Sequence, residues 1–173
     1  GPFEQFVAGS SMSCGLRGDG SVECWDSTTS FAPAALSAPV QQIAASSASI
    51  CAIERPGDET YPDGNVVCGS ASGPGLRPTG DFQSLSGSNG HFCGVRANGT
   101  IDCWSAGATP PVRSPPTAPL HSMAVSTWDQ RTSCGLDASD QIHCWGQHNG
   151  SWADGLGART ALAMGRTLCG LDA

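Results

Sequence analysis

The sequence predicts an all-β chain, a β-propeller or part of one, with four-stranded antiparallel blades. Two patterns carry that prediction. A cysteine-bracketed segment with a tight turn at its centre recurs at Cys14–Cys24, Cys51–Cys68, Cys93–Cys103 and Cys134–Cys144, and begins once more at Cys169. A run of small residues precedes each copy. The first cysteines of successive copies stand 37, 42, 41 and 35 residues apart. That is room for four short strands per copy, with Gly and Pro between them. Strands repeated at this spacing stack around a channel in propellers. The divisions fall at 3–39, 40–80, 81–119, 120–158 and 159–173, the last incomplete, within one domain.

The first element of each copy is the small-residue strand, such as Ile43-Ala44-Ala45-Ser46-Ser47 or Leu85-Ser86-Gly87-Ser88. Small side chains suit a crowded axis where inner strands converge. The second and third elements form a hairpin. A strand runs through the first cysteine. A turn follows at Gly18-Asp19-Gly20 or Ala97-Asn98-Gly99, and the return strand alternates Val22 with Cys24, Ile101 with Cys103 and Ile142 with Cys144. Asp-Gly and Asn-Gly supply the positive-φ residues of tight hairpin turns. With the turn midway, the two cysteines face each other across the ladder. Opposed residues of a non-hydrogen-bonded antiparallel pair lie about 4.5 Å apart at Cα, within disulfide reach. Such a bridge stabilises by roughly 3 kcal/mol on the chain-entropy model. Zinc is the first alternative, but zinc sites favour C-x-x-C or similarly close spacings, and no C-x-x-C occurs. Reduced core cysteines are the second.

The unit, a small-residue strand and then C-x-L-x-x-D-G-x-V-x-C-W-G, resembles the repeat of the regulator of chromosome condensation family. It is most similar to the family's cysteine-paired extracellular branch, found in the ectodomains of plant Crinkly receptor kinases and in many secreted microbial proteins. Cys-Trp-Gly stands in full at Cys144-Trp145-Gly146, is altered at Cys24-Trp25-Asp26 and Cys103-Trp104-Ser105, and is lost at Cys68-Gly69-Ser70. The resemblance covers essentially the whole chain. It implies a propeller, and it implies little about function, since propellers host many functions. The copy at Cys169 lacks the partner its repeat would bring. The chain therefore reads as a piece of a longer protein, or as an arc completed by another chain.

A chain of 173 residues with 6% aromatic and 13% charged residues builds its core from small aliphatics. Disulfides strengthen so thin a core, and nine cysteines fit an extracellular setting. No apolar run is long enough for a membrane helix, so no membrane insertion is expected. The net charge is −7, and the eight basic residues are all arginine, scattered along the chain. They form no basic stripe, so nucleic acid is not an expected partner.

Asn98-Gly99-Thr100 and Asn149-Gly150-Ser151 are sequons, which makes Asn98 and Asn149 candidate N-glycosylation sites. Asn-Gly at 98–99 is equally explained by the turn alone. The proline-rich connection 110–119 reads as an extended, semi-rigid spacer. The insertion 54–64 gathers four carboxylates, yet their spacing matches no EF-hand, so a solvated loop is expected and no metal. No nucleophile elbow, phosphate loop, metalloprotease helix or dinucleotide fingerprint occurs. His91 reads as structural. Neither catalytic residues nor a cofactor are expected. Trp25, Trp104 and Trp145 are expected to pack against the next blade. Trp128 and Trp152, outside the motif, and Tyr61, in the insertion, are the candidate partner surface.

These observations point to a non-enzymatic extracellular module for structure and protein interaction, part of a cell-surface, wall or appendage glycoprotein. The partners expected are other proteins, including copies of itself or a parent assembly, together with glycans. A ligand-binding receptor ectodomain and a secreted propeller-type inhibitor are the alternatives.

Overall fold

The computed structural model describes residues 1–27, 30–33, 36, 39–55, 64–70, 73–75, 78–88, 91–105, 117, 119–125, 132–146, 157, 159–164 and 168–171. Trp128, Trp152, Tyr61, Asn149, most of the 54–64 insertion and nearly all of the proline-rich connection lie outside them. Every regular element among the described residues is a strand, so none is a helix of the kind that crosses a membrane.

The strands form five antiparallel sheets in chain order. Sheet 1 holds β1 (Phe3–Ala8), β2 (Ser13–Arg17), β3 (Val22–Trp25) and β4 (Ser30–Phe31). Sheet 2 holds β5 (Val40–Ala45), β6 (Ser49–Glu54), β7 (Val66–Ser70) and β8 (Gly73–Pro74). Sheet 3 holds β9 (Phe82–Ser88), β10 (His91–Arg96) and β11 (Ile101–Ser105); sheet 4 holds β12 (Leu120–Val125), β13 (Thr132–Asp137) and β14 (Ile142–Gly146). Sheet 5 is the pair β15 (Ala161–Met164) and β16 (Leu168–Leu171). Sheets 1 and 2 thus show the expected four strands, whereas sheets 3 and 4 show three each among the described residues. The first strands of successive sheets lie side by side, β1 on β5, β5 on β9, β9 on β12 and β12 on β15.

Cysteine register runs through the hairpins. Cys14 pairs with Cys24, Cys51 with Cys68, Cys93 with Cys103 and Cys134 with Cys144, both in the ladder and through sulfur. Each pair stands 4.0 Å apart at Cα. Gly20 and Gly99 close their turns at φ 86° and 79°, and in sheet 4 Asp140 takes the same left-handed conformation at 60°.

Each sheet has a back, turned to the following sheet, and a front, turned to the preceding one. The back carries the disulfide and two aliphatic residues, Leu16 and Val22 in sheet 1, Ile53 and Val66 in sheet 2, Val95 and Ile101 in sheet 3. The front carries the bulky residues of the inner strand, Val40 and Ile43, then Phe82 and Leu85, then Leu120 and Met123. Three clusters result, each joining one back to the next front. The disulfides of sheets 1, 2 and 3 are therefore walls of the interfaces between sheets.

The tryptophans lie the other way from expectation. Trp104 shares a cluster with Cys51, Ile53 and Val66 of the preceding sheet, and Trp145 with Cys93 and Val95. The reason is the two-residue period of a strand. Trp follows the second cysteine directly, so it points to the opposite face from the disulfide. The disulfide faces forward, so the indole faces back along the chain.

Candidate interaction surfaces

The cysteine is followed by glycine in sheets 1, 3 and 4 because the front of the strand has no room there. A Cβ on Gly15 would lie 2.4 Å from the Phe3 ring, one on Gly94 2.5 Å from the Phe82 ring, and one on Gly135 2.3 Å from Leu120. In sheet 2 the residue is Ala52, and the position of those bulky residues is held by the smaller Val40. Size is thus traded across the strand pair.

Two of these rings each carry a guanidinium over the face. The Arg17 guanidinium lies 4.1 Å above the centroid of Phe3, and that of Arg96 lies 4.4 Å above Phe82. Each arginine also pairs with the acid across its hairpin, Arg17 with Glu23 and Arg96 with Asp102, whose Oδ2 accepts from Nε at 2.8 Å. Sheet 4 keeps the pair with its polarity reversed: His143 Nε2 stands 2.7 Å from Asp137 Oδ2. That contact, followed by the Ser139 and Gln141 amides, holds the Asp137 carboxyl below the usual carboxylate range. Arg17, Arg96 and the His143–Asp137 pair belong to the sheet edges.

A second surface is the groove between β1, β5 and β9. It encloses about 220 Å³ and is lined by small residues such as Ala8, Ala44, Ala45, Ser86 and Gly87. No titratable side chain lines it, so it offers shape and a few amide and hydroxyl groups rather than acid–base chemistry. Glutamine side chains bridge its walls. Gln5 donates from Nε2 to the Ile43 carbonyl at 2.9 Å and accepts from the Ile43 amide at 2.9 Å. Gln42 repeats both bonds with Leu85, at 3.5 and 3.0 Å. The equivalent position in sheet 3 is Ser84, whose buried hydroxyl has no hydrogen-bond partner among the described residues. Nothing in the sequence flags this clamp, since a lone Gln in a strand reads as an ordinary polar position.

The third surface is the hairpin tips. Asn98 is exposed at one of them. Its Oδ1 accepts from the Thr100 amide at 2.9 Å and the Thr100 hydroxyl at 2.6 Å. Asp19 does the same with Ser21 at 2.9 and 2.6 Å, and those bonds hold its carboxyl below the usual range. Since Asp19 cannot be N-glycosylated, the turn alone accounts for the geometry at Asn98. The tips also tie sheets together. The carbonyls of Gly20, Gly99 and Asp140 accept from the amides of Val40, Leu120 and Arg159 at 3.0, 3.1 and 3.0 Å.

Cys169 is exposed and unpaired on β16. His91 is buried on β10. Among the described residues no three His, Cys, Asp or Glu side chains gather as metal ligands do.

Two large apolar side chains are exposed among the described residues, and they mark the two ends of the stack. Phe6 is 66% exposed on the front of sheet 1, where its ring centroid lies 5.0 Å from that of Phe3, and the Trp25 ring lies 5.3 Å from Phe3. Leu171 is 67% exposed on the back of sheet 5.

No protein-family model matches the sequence, and no curated protein matches it. Solved structures do match. The Crinkly WD40 ectodomain of the Arabidopsis thaliana receptor kinase ACR4 superposes with a TM-score of 0.69 at 22% identity, over 98% of this chain and 59% of that one. The entire ectodomain of the Physcomitrella patens receptor kinase CR4 gives 0.70 at 24% identity, over 98% and 46%. Prp20p of Saccharomyces cerevisiae gives 0.61 at 14% identity, over 83% and 43%. At these identities the likeness shows fold, which is that of β-propeller repeats. The chain spans 59% and 46% of the two ectodomain chains it matches.

Proposed function

We propose that the chain is a non-enzymatic extracellular module for structure and protein interaction, built of four-stranded propeller blades and belonging to a cell-surface, wall or appendage glycoprotein. One observation carries the reading. Three of the four disulfides form walls of the interfaces between sheets, so the stack depends on oxidised sulfur. Bonds of this kind persist in oxidising compartments and are rare in the cytosol and nucleus. Prp20p, described with its binding to Gsp1p and histones, supports a role in protein contact. Likeness to two receptor ectodomains favours a second reading, a ligand-binding receptor ectodomain.

The test is intact mass of protein isolated from its native source under thiol-blocking conditions, before and after reduction and with and without glycosidase. The module should gain two hydrogens per bridge for four bridges, and release glycan from Asn98 or Asn149. Nine blockable thiols in the unreduced protein would overturn the extracellular assignment.

A further inference from the structure

The disulfides differ in how far solvent reaches them. Cys14, Cys24, Cys51 and Cys93 are fully buried and Cys68 is 5% exposed, whereas Cys103 is half-buried. In sheet 1, Phe31 of β4 lies opposite Cys24; in sheet 2, the Gly75 amide just past β8 donates to the Cys68 carbonyl at 2.8 Å. Among the described residues no fourth strand lies along β11, which carries Cys103.

The first cysteines differ too. The residue just before each sheet's first cysteine packs on the disulfide of the preceding sheet. It is Ile50 on Cys14–Cys24 and Phe92 on Cys51–Cys68, but Ser133 on Cys93–Cys103. A disulfide sulfur carries no proton, so the Ser133 hydroxyl is the donor, 3.9 Å from Cys93 Sγ. Ser133 is 1% exposed, so water does not compete for that contact. Thiol exchange is fastest where the attacked sulfur is accessible and the departing thiolate is stabilised. The bridge of sheet 3 meets both conditions, one at each end.

We propose that Cys103 is a thiol-exchange site, at which a small thiol opens the Cys93–Cys103 bridge and with it the joint between sheets 3 and 4. The thiolate of the small thiol attacks Cys103 Sγ. The bond to Cys93 breaks as the new bond forms, and Cys93 leaves with the electron pair and then takes a proton from solvent. A second small thiol displaces the first from Cys103, so two thiols become one disulfide and the bridge gains two electrons. Ser133 donates weakly to the bridge and more strongly to the departing thiolate, a charged acceptor. It thereby offsets the cost of forming that charge in a buried place. The bridge is a wall against which Trp145 and Met123 pack, so its loss loosens the middle of the stack. The oxidising setting proposed above keeps the bridge closed until such a thiol arrives. The inference goes beyond that reading, and its failure would leave the reading to the mass measurement.

Timed reduction of the folded protein by glutathione at pH 7, stopped by alkylation and mapped by peptide mass, tests it. A Cys169→Ser background excludes exchange with the unpaired thiol. Cys93–Cys103 should open before the other three bridges, and about tenfold or more faster than Cys14–Cys24 and Cys51–Cys68. The glutathione adduct should sit on Cys103 and the free thiol on Cys93. Ser133→Ala should slow this bridge by about threefold. A serine that only filled space would act the other way, since its removal would loosen the joint and speed reduction. Cys134–Cys144 is the control, because Cys144 is also half-buried but the residue at the Ser133 position in sheet 5 is Leu168. Its rate should not change in the variant. An adduct on Cys93, another bridge opening first, or a Ser133→Ala protein that is reduced as fast or faster would each overturn the inference. The order of opening and the adduct site are read on the Ser133 protein, so they decide the matter even if the variant does not fold.

Discussion

Gly94 shows how a single hydrogen atom sets the shape of a sheet. The Phe82 ring packs against it, and any Cβ there would meet the ring at 2.5 Å. Sheet 2 solves the same problem with Ala52 and the smaller Val40. Gly94→Ala should therefore destabilise by about 1–3 kcal/mol through overpacking. Phe82→Val alone should also destabilise, by lost burial. Together they should cost less than the sum, by about 0.5 kcal/mol or more, because the second change removes the clash created by the first. Urea unfolding of the four proteins measures the cycle, and strict additivity would show that ring and methyl do not compete. The sequence made the Cys-Gly repeat visible but not its cause, since the residue that fills the gap lies on another strand, Phe3 for Gly15 and Phe82 for Gly94.

At the level of elements, the hairpins were legible and the faces were not. Turn residues such as Asp19-Gly20 and Asn98-Gly99 fixed the reversal point, and equal spacing to either side placed Cys14 against Cys24 and Cys93 against Cys103. Which way each sheet faced was hidden, because central sheets bury both sides and the hydrophobic alternation loses its contrast. Sheet 2 illustrates this: Ile50, Cys51, Ala52 and Ile53 run in sequence and all are fully buried. The tryptophan direction was recoverable from its adjacency to the disulfide, by strand alternation alone. The outermost strands β4 and β8, of two residues each, carry no pattern that a sequence could reveal. Side-chain bonds between elements were equally hidden. Gln42→Ala would strip the Leu85 amide and carbonyl of their partners across the groove. That should cost about 1–3 kcal/mol, the usual penalty for orphaned polar groups. Ser84→Ala removes a buried hydroxyl that has no hydrogen-bond partner among the described residues, and should be neutral or stabilising. Thermal unfolding of both variants checks the contrast. Equal losses would mean that the glutamine is not a clamp.

At the scale of the molecule, each sheet touches its neighbours in chain order among the described residues, so stability adds up locally as it does in stacked repeat proteins. Sheet 2 sits between two complete interfaces, and Val40, Ile50, Cys51, Ala52, Ile53, Val66 and Val67 are wholly buried there. Sheet 5 has two described strands, an unpaired Cys169 and an exposed Leu171. Local opening should follow that gradient, since opening free energies track buried apolar contact. Native-state hydrogen exchange on dilute, monomeric protein should find the slowest amides in β6 and the fastest strand amides in β15 and β16. A uniform protection level across all five sheets would instead mean that the stack opens as one cooperative unit, and that the interfaces between sheets are as strong as the ladders within them.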